Sequence, residues 1–148
     1  MKLLKGVILV GTDFSDLARA ALDWAVDLAD PLGARIVVAH VFDLPIVGFP
    51  DAALMVDAHT AARLSDDAQK ALDAEIARVR DRGVAVDGTL KQGDPRDILP
   101  VLAMSLDAGL IVIASHGRRG LAHALLGSVA ESVIRGSRVP VTVVRRAA

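Results

Sequence analysis

Residues 110–128 read Leu-Ile-Val-Ile-Ala-Ser-His-Gly-Arg-Arg-Gly-Leu-Ala-His-Ala-Leu-Leu-Gly-Ser: an apolar strand, a glycine-bearing loop, then Gly127-Ser128 opening another apolar periodic segment. The small residues Ala114, Ser115, Gly117, Gly120, Gly127 and Ser128 let backbone N–H groups come close to a ligand. A helix start adds unpaired donors and the positive end of a dipole. Phosphate is the natural guest of such a loop.

Residues 6–11 (Gly-Val-Ile-Leu-Val-Gly) form a continuous aliphatic run, the mark of a strand covered on both faces. Thr12 to Asp16 supply turn and cap chemistry, and from Leu17 to Ala29 polar residues recur every three or four positions. That predicts a helix packed on a sheet, with Trp24 on its inner, core face and Pro31 and Gly33 ending it. Arg35 to Phe42 reads as the second strand. Residues 43–58 are apolar without a sustained period and contain Pro45, Gly48 and Pro50; a loop folded over the sheet edge is expected, the sharper alternative being a lid or partner surface.

A long helix is predicted from Ala61 to about Arg82, with Leu64, Ala68, Leu72, Ile76 and Val79 inward. Val84 to Leu90 alternates as an edge-near strand would. Gly93-Asp94-Pro95 turns into a helix with Ile98, Val101, Leu102 and Leu106 on its inner face. Pro100 implies a late start if Asp97 is the cap, or a kink if Asp94 is. Leu110 to Ala114, a helix from Ser128 to about Arg135, and a strand from Pro140 to Val144 complete the order. Alternation and right-handed crossovers give a doubly wound parallel sheet, one domain over 1–148. Ligands of such sheets sit outside the carboxyl ends of the strands, where the winding reverses. That places Gly11-Thr12-Asp13, His40-Val41 and Ala114 to Gly117 around one crevice.

Composition narrows the function. The 148 residues can bury roughly 70% of the surface an unfolded chain of that size exposes. Three Phe and one Trp are too few for a base-stacking nucleic-acid face, and 17 basic against 18 acidic side chains create no global field for nucleic acid or membrane. With no cysteine there is no thiol nucleophile, thiolate zinc site or disulfide. Neither a cleavable leader nor an apolar span is visible, so a cytoplasmic location is expected. No two histidines stand at helical ligand spacing, and no metal site is assigned.

Five landmarks together carry a family resemblance. They are Val10-Gly11-Thr12-Asp13-Phe14-Ser15, Ala39-His40-Val41, Gly93-Asp94-Pro95, the 114–128 loop, and Val139-Pro140-Val141. In that order they resemble a universal stress protein of the nucleotide-binding kind, from Val7 to Val144. The family's loop pattern is G-x-x-G, nine residues, then G-[ST]. Here it stands as Ala114-Ser115-His116-Gly117, nine residues, Gly127-Ser128, with Ala114 in place of the first glycine. Gly11 stands where many members carry proline.

The resemblance implies a Rossmann-like, five-stranded sheet of order 3-2-1-4-5 with helices on both faces. It also implies ATP, alone or with Mg2+, across the switch point. Asp13 would meet the ribose or adenine side, the Val41 backbone the adenine edge, and Gly117, Gly127, Ser128 and Val129 the phosphates. A homodimer through Val139 to Val144 is implied too, and so aliphatic an edge strand is best covered on independent grounds.

Within this frame Gly11, Thr12, Ala114 and Ser115 are expected around the ligand and His116 as a donor to a phosphate oxygen. Of Arg118 and Arg119, at most one pairs with phosphate. Ser128 begins a capping box with Glu131, and Asp13 is a candidate cap of the first helix. His40 is expected to line the crevice, His59 to open the long helix, and His123 to be a surface or packing residue. The chain lacks a G-x-x-x-x-G-K-[ST] loop and an evident general base, so ATP hydrolysis is expected to be absent or slow. The functional expectation is an ATP-binding regulatory module of stress response. A dimeric interaction protein that has lost nucleotide binding is the alternative, motivated by Ala114. An AMP or adenosine binder, keeping the Asp13 and Val41 side, is a third.

Overall fold

The computed structural model describes residues 6–44, 46–49, 52–55, 57–117 and 126–145, with the backbone alone described over 46–49 and 52–55. The elements are β1 Val7–Gly11, α1 Asp16–Leu32, β2 Arg35–Phe42, β3 Ile46–Phe49, β4 Ala52–Met55 and α2 Ala58–Arg80. They continue with β5 Val86–Gln92, α3 Pro95–Ser105, β6 Ala108–Ala114, α4 Ser128–Gly136 and β7 Val141–Val144. Five strands form one parallel sheet in the order β5-β2-β1-β6-β7, which is 3-2-1-4-5 when the strands of that sheet are numbered along the chain.

The two-residue period of each strand divides the core in two. Ile8, Val10, Ile36, Val38, Leu110 and Val112 pack with Ala21, Leu22, Ala25 and Val26 of α1 and with Leu72 and Val79 of α2. Leu9, Val37, Ala39, Ile111 and Ile113 pack with Leu99 and Ala103 of α3 and with Ala130 and Val133 of α4. All five residues of β1 are buried, which is why its sequence shows no polar alternation.

Several boundaries differ from expectation. Residues 43–58 do not form a simple loop: β3 and β4 pair antiparallel as a hairpin outside the main sheet, Ile46 opposite Met55 and Phe49 opposite Ala52. Strands of four residues are too short to reveal a period. Pro31 lies inside the last turn of α1, and Gly33 ends that helix in the left-handed conformation, φ 62°. Trp24 is 40% exposed on α1, and Val101 is 67% exposed on α3. The residues that α3 buries are Leu99, Pro100 and Ala103. Asp94 caps α3 and Pro100 lies within it, so the helix starts early. The long helix starts at Ala58, three residues before the expected Ala61, with Asp57 as its cap. In β5 pairing begins at Val86, and the expected alternation holds only from Val84 to Asp87: Gly88 is exposed and Thr89 and Leu90 are both half-buried, although a Cβ on Gly88 would collide with the Ile76 side chain of α2.

Charge ties α2 to α1. Glu75 is 5% exposed; it accepts from Arg19 at 2.7 Å and from Arg78 at 2.8 Å. Arg78 also pairs with Asp23, and Arg82 reaches Asp27 at 2.6 Å. Glu75→Ala removes the common acceptor and leaves two guanidinium groups over a buried gap. Because both arginines retain solvent, the expected loss is about 1–3 kcal/mol, less than for a fully buried pair, measured as a lower midpoint in urea unfolding with an unchanged slope.

At the start of α3 the Arg96 side chain first, and its backbone amide second, hold the Asp94 carboxyl below the ordinary carboxylate range. A depressed folded pKa stabilises the fold above the unfolded value and ceases to do so as pH falls through the folded value. Acid titration below about pH 4 is therefore expected to weaken α3. Asp94→Asn, which keeps a capping oxygen, should flatten that step in a pH series of thermal melts.

Candidate functional site

The loop after β1 is fixed by three side chains, each accepting from the backbone ahead of it. Thr12 Oγ1 takes the Phe14 N–H at 3.0 Å, Asp13 Oδ1 the Ser15 N–H at 3.0 Å, and Ser15 Oγ the Ala18 N–H at 3.2 Å. The cap of α1 is thus Ser15, not Asp13. Asp13 stands too early to reach the helix, and its second oxygen turns toward the loop after β6. There a Cβ on Gly117 would lie 2.6 Å from Asp13 Oδ2. Phe14 has φ 63°, a conformation that costs a bulky side chain about 1–3 kcal/mol. Its ring rests on that of His40, centroids 4.3 Å apart.

The loop after β6 is closed by backbone. Ala114 ends the strand opposite Val144, and Ser115 donates its N–H to the Val144 carbonyl at 2.8 Å. The Ser115 carbonyl accepts the Gly127 N–H at 2.7 Å. A Cβ on Gly127 would come within 2.9 Å of that same oxygen, so glycine is what allows the chain to cross itself here. The crossing also corrects the expected capping box. Gly127 is the cap of α4 and makes no side-chain bond. Ser128 is already in the first turn, and Glu131 reaches forward to Arg135 at 2.6 Å. Among the described non-glycine residues only Phe14 and Asp107 have positive φ, so Ala114 bears no strain from replacing glycine.

These two loops, the end of β2 and the start of α3 enclose a pocket at the carboxyl end of the sheet. Gly11, Thr12, Asp13, Val41, Ala114, His116, Gly117 and Val129 all line it. Of its apolar walls, the sequence named Ala39 and Pro95 only as landmarks, without a place at the ligand, and did not mark Leu99 and Ile113 at all; the parity of Ala39 with Val41 was the available signal. The other expected residues stand apart. Ser115 is 2% exposed, and its hydroxyl lies 3.0 Å from His116 Nδ1. Gly127 lies against the Ser115 carbonyl. Ser128 faces a second, polar depression with Asp94, Arg96, Glu131 and Arg135. His40 lies on the opposite side of β2 from Ala39 and Val41, against Phe14. Arg118, Arg119, Gly120 and His123 lie outside the described residues. No group of three His, Asp or Glu among the described residues could hold a metal ion. The pocket joins an apolar slab of side chains, Ala39, Val41, Leu99 and Ile113, to the Asp13 carboxylate.

The model of the universal stress protein family matches residues 6–145. The chain belongs to the universal stress protein family. Universal stress protein MJ0531 of Methanocaldococcus jannaschii is 31% identical over 140 residues, spanning 94% of this chain and 81% of its own length. Three mycobacterial relatives, each 32% identical, are longer, and the chain spans 45% of their length. Among solved structures, hypothetical protein MJ0577 of the same organism superposes with a TM-score of 0.82 at 25% identity, over 98% of this chain and 99% of its own. A universal stress protein in complex with cAMP superposes with a TM-score of 0.70 at 26% identity, over 96% and 98% of the two chains. These neighbours share the Rossmann-like family fold, and no helix among the described residues is long and apolar enough to cross a membrane.

The two loop glycines are expected to respond differently to a methyl group. Gly127→Ala presses on a backbone carbonyl that cannot yield, and a loss of about 1–3 kcal/mol is expected. Gly117→Ala meets only the end of the Asp13 side chain, which can swing away at a cost below about 1 kcal/mol. Paired thermal melts decide this, and equal losses would contradict the crossing geometry.

Proposed function

We propose that this chain is an ATP-binding regulatory module of the stress response, with hydrolysis absent or slow. The observation that carries the reading is the meeting of the Asp13 carboxylate with the apolar walls Ala39, Val41, Leu99 and Ile113 at the point where the winding reverses. The adenine ring occupies the slab, the ribose lies toward Asp13, and the phosphates run toward Gly117, His116 and the start of α4, with Mg2+ where the phosphates need a counter-ion. The cAMP complex of a neighbour supports an adenine nucleotide as the ligand class. The absence from the sequence of a P-loop lysine supports slow or no turnover. The chain acts as one domain, and its copies pair through the aliphatic edge from Val139 to Val144.

Isothermal calorimetry with ATP and Mg2+ tests the reading. Saturable binding is expected, with little phosphate released over the same hours. Asp13→Asn keeps the acceptor for the Ser15 N–H and removes the charge, so affinity should fall about 10- to 100-fold while the melting temperature stays close to that of the parent. A folded parent giving no saturable heat overturns the reading.

The second reading, a dimeric interaction protein without nucleotide binding, rests on the Ala114 methyl. Ala114 packs against the α1-side core in an unstrained strand, so Ala114→Gly should leave affinity within about twofold. A revertant that gains ATP binding absent from the parent would favour the second reading instead.

A further inference from the structure

His40 stands outside the pocket yet touches the loop that forms its wall. Consecutive residues of β2 hold Thr12 from two directions: its N–H donates to the Ala39 carbonyl at 2.9 Å, and its own carbonyl lies 2.8 Å from His40 Nδ1. A carbonyl oxygen carries no proton, so Nδ1 must be the protonated nitrogen and the donor. Thr12 Oγ1 in turn accepts from the Phe14 N–H. The same imidazole neighbours two aromatic rings, Phe14 at 4.3 Å and Phe42 at 6.2 Å with an interplanar angle of 8°. Phe14 is the residue in the left-handed conformation. One side chain therefore fixes the carbonyl before Asp13 and supports the strained residue after it.

We infer that His40 is a positioning residue for the ligand pocket: its Nδ1–H bond to the Thr12 carbonyl, together with its contact on Phe14, sets the direction in which Asp13 presents its carboxylate. The inference rests on the nucleotide reading above for its ligand. Its structural half stands independently, because the geometry of residues 12–14 can be observed without ligand.

Two substitutions separate the donor from the ring. His40→Asn places an amide N–H near the position of Nδ1 and deletes the stack, whereas His40→Phe keeps the stack and deletes the donor. The expected result is ATP affinity within about threefold of the parent for His40→Asn and a loss of about five- to tenfold for His40→Phe, the effect of one neutral hydrogen bond. Melting temperatures measured alongside show whether an affinity loss merely follows a loss of stability. Parent-like affinity in folded His40→Phe overturns the inference, and so does an equal loss in both variants that tracks their melting temperatures. Nitrogen-15 NMR of the parent supplies an arm that needs neither variant nor ligand. Nδ1 should be protonated, and a neutral ring carrying its proton on Nε2 overturns the inference even if both variants fail to fold. A folded parent that binds no ATP overturns the nucleotide reading alone. The positioning claim is then decided by the NMR arm and by the Asp13 and Phe14 amide shifts, which should move in His40→Phe and overturn the claim if they do not.

Discussion

The site depends on a single constraint, that β1 is bonded on both sides. Its residues pair with β2 from Val7 opposite Arg35 to Gly11 opposite Ala39, and with β6 from Val7 opposite Ala108 to Val10 opposite Val112. A parallel strand flanked in this way sends its continuation out over the carboxyl edge, while the continuations of β2 and β6 leave on either side. The chain winds one way from β1 to β2 and the other way to β6, so the loops after β1 and β6 diverge around a gap that no side chain of the sheet can fill. Thr12 and Asp13 come from one side, His116 and Gly117 from the other.

What keeps that gap open is mostly backbone. The Ser115 carbonyl receives Gly127, Ser115 gives its own N–H to Val144, and Thr12 gives its N–H to Ala39. Side chains refine the result. The Thr12, Asp13 and Ser15 ladder spends its oxygens on neighbouring amides, a local bonding habit that keeps such residues out of helix interiors and favours them just before a helix. The Asp13 carboxylate accepts the Ser15 N–H with Oδ1, and its Oδ2 lies on the side of Gly117.

The sheet could be read from the sequence because it is buried on both faces: β1, β2 and β6 are aliphatic runs bounded by glycine or polar turns, and β2 was predicted to the residue. Failures occurred where a competing interaction was non-local. Trp24 satisfies the helical period of α1 but lies beyond the area that the sheet covers, and Val101 does the same on α3. Ser128-Val129-Ala130-Glu131 matches a capping box, yet the crossing at Gly127 moves the cap one residue earlier. Of the pocket, the loops on the two sides of the switch point were legible as small and polar residues. Its apolar walls were not, because Leu99 and Ile113 have the same pattern as any core residue and only the packing of α3 on the sheet shows that they also border open space.

The two ends of the sheet differ in character. On β5 the outer edge carries Asp87, held by Arg35 at 2.7 Å, and the exposed Lys91; charges so placed discourage another strand from adding there. On β7 the edge is Val-Thr-Val-Val, half-buried throughout and without a charge. A sheet that can be extended from one end alone can accept one partner across a two-fold axis and then has nothing left to offer. Two adhesive edges would instead permit head-to-tail addition without limit. In the proposed pairing of copies, the asymmetry between Asp87 and Thr142, residues on opposite borders of the same layer, would favour a closed pair over a fibre.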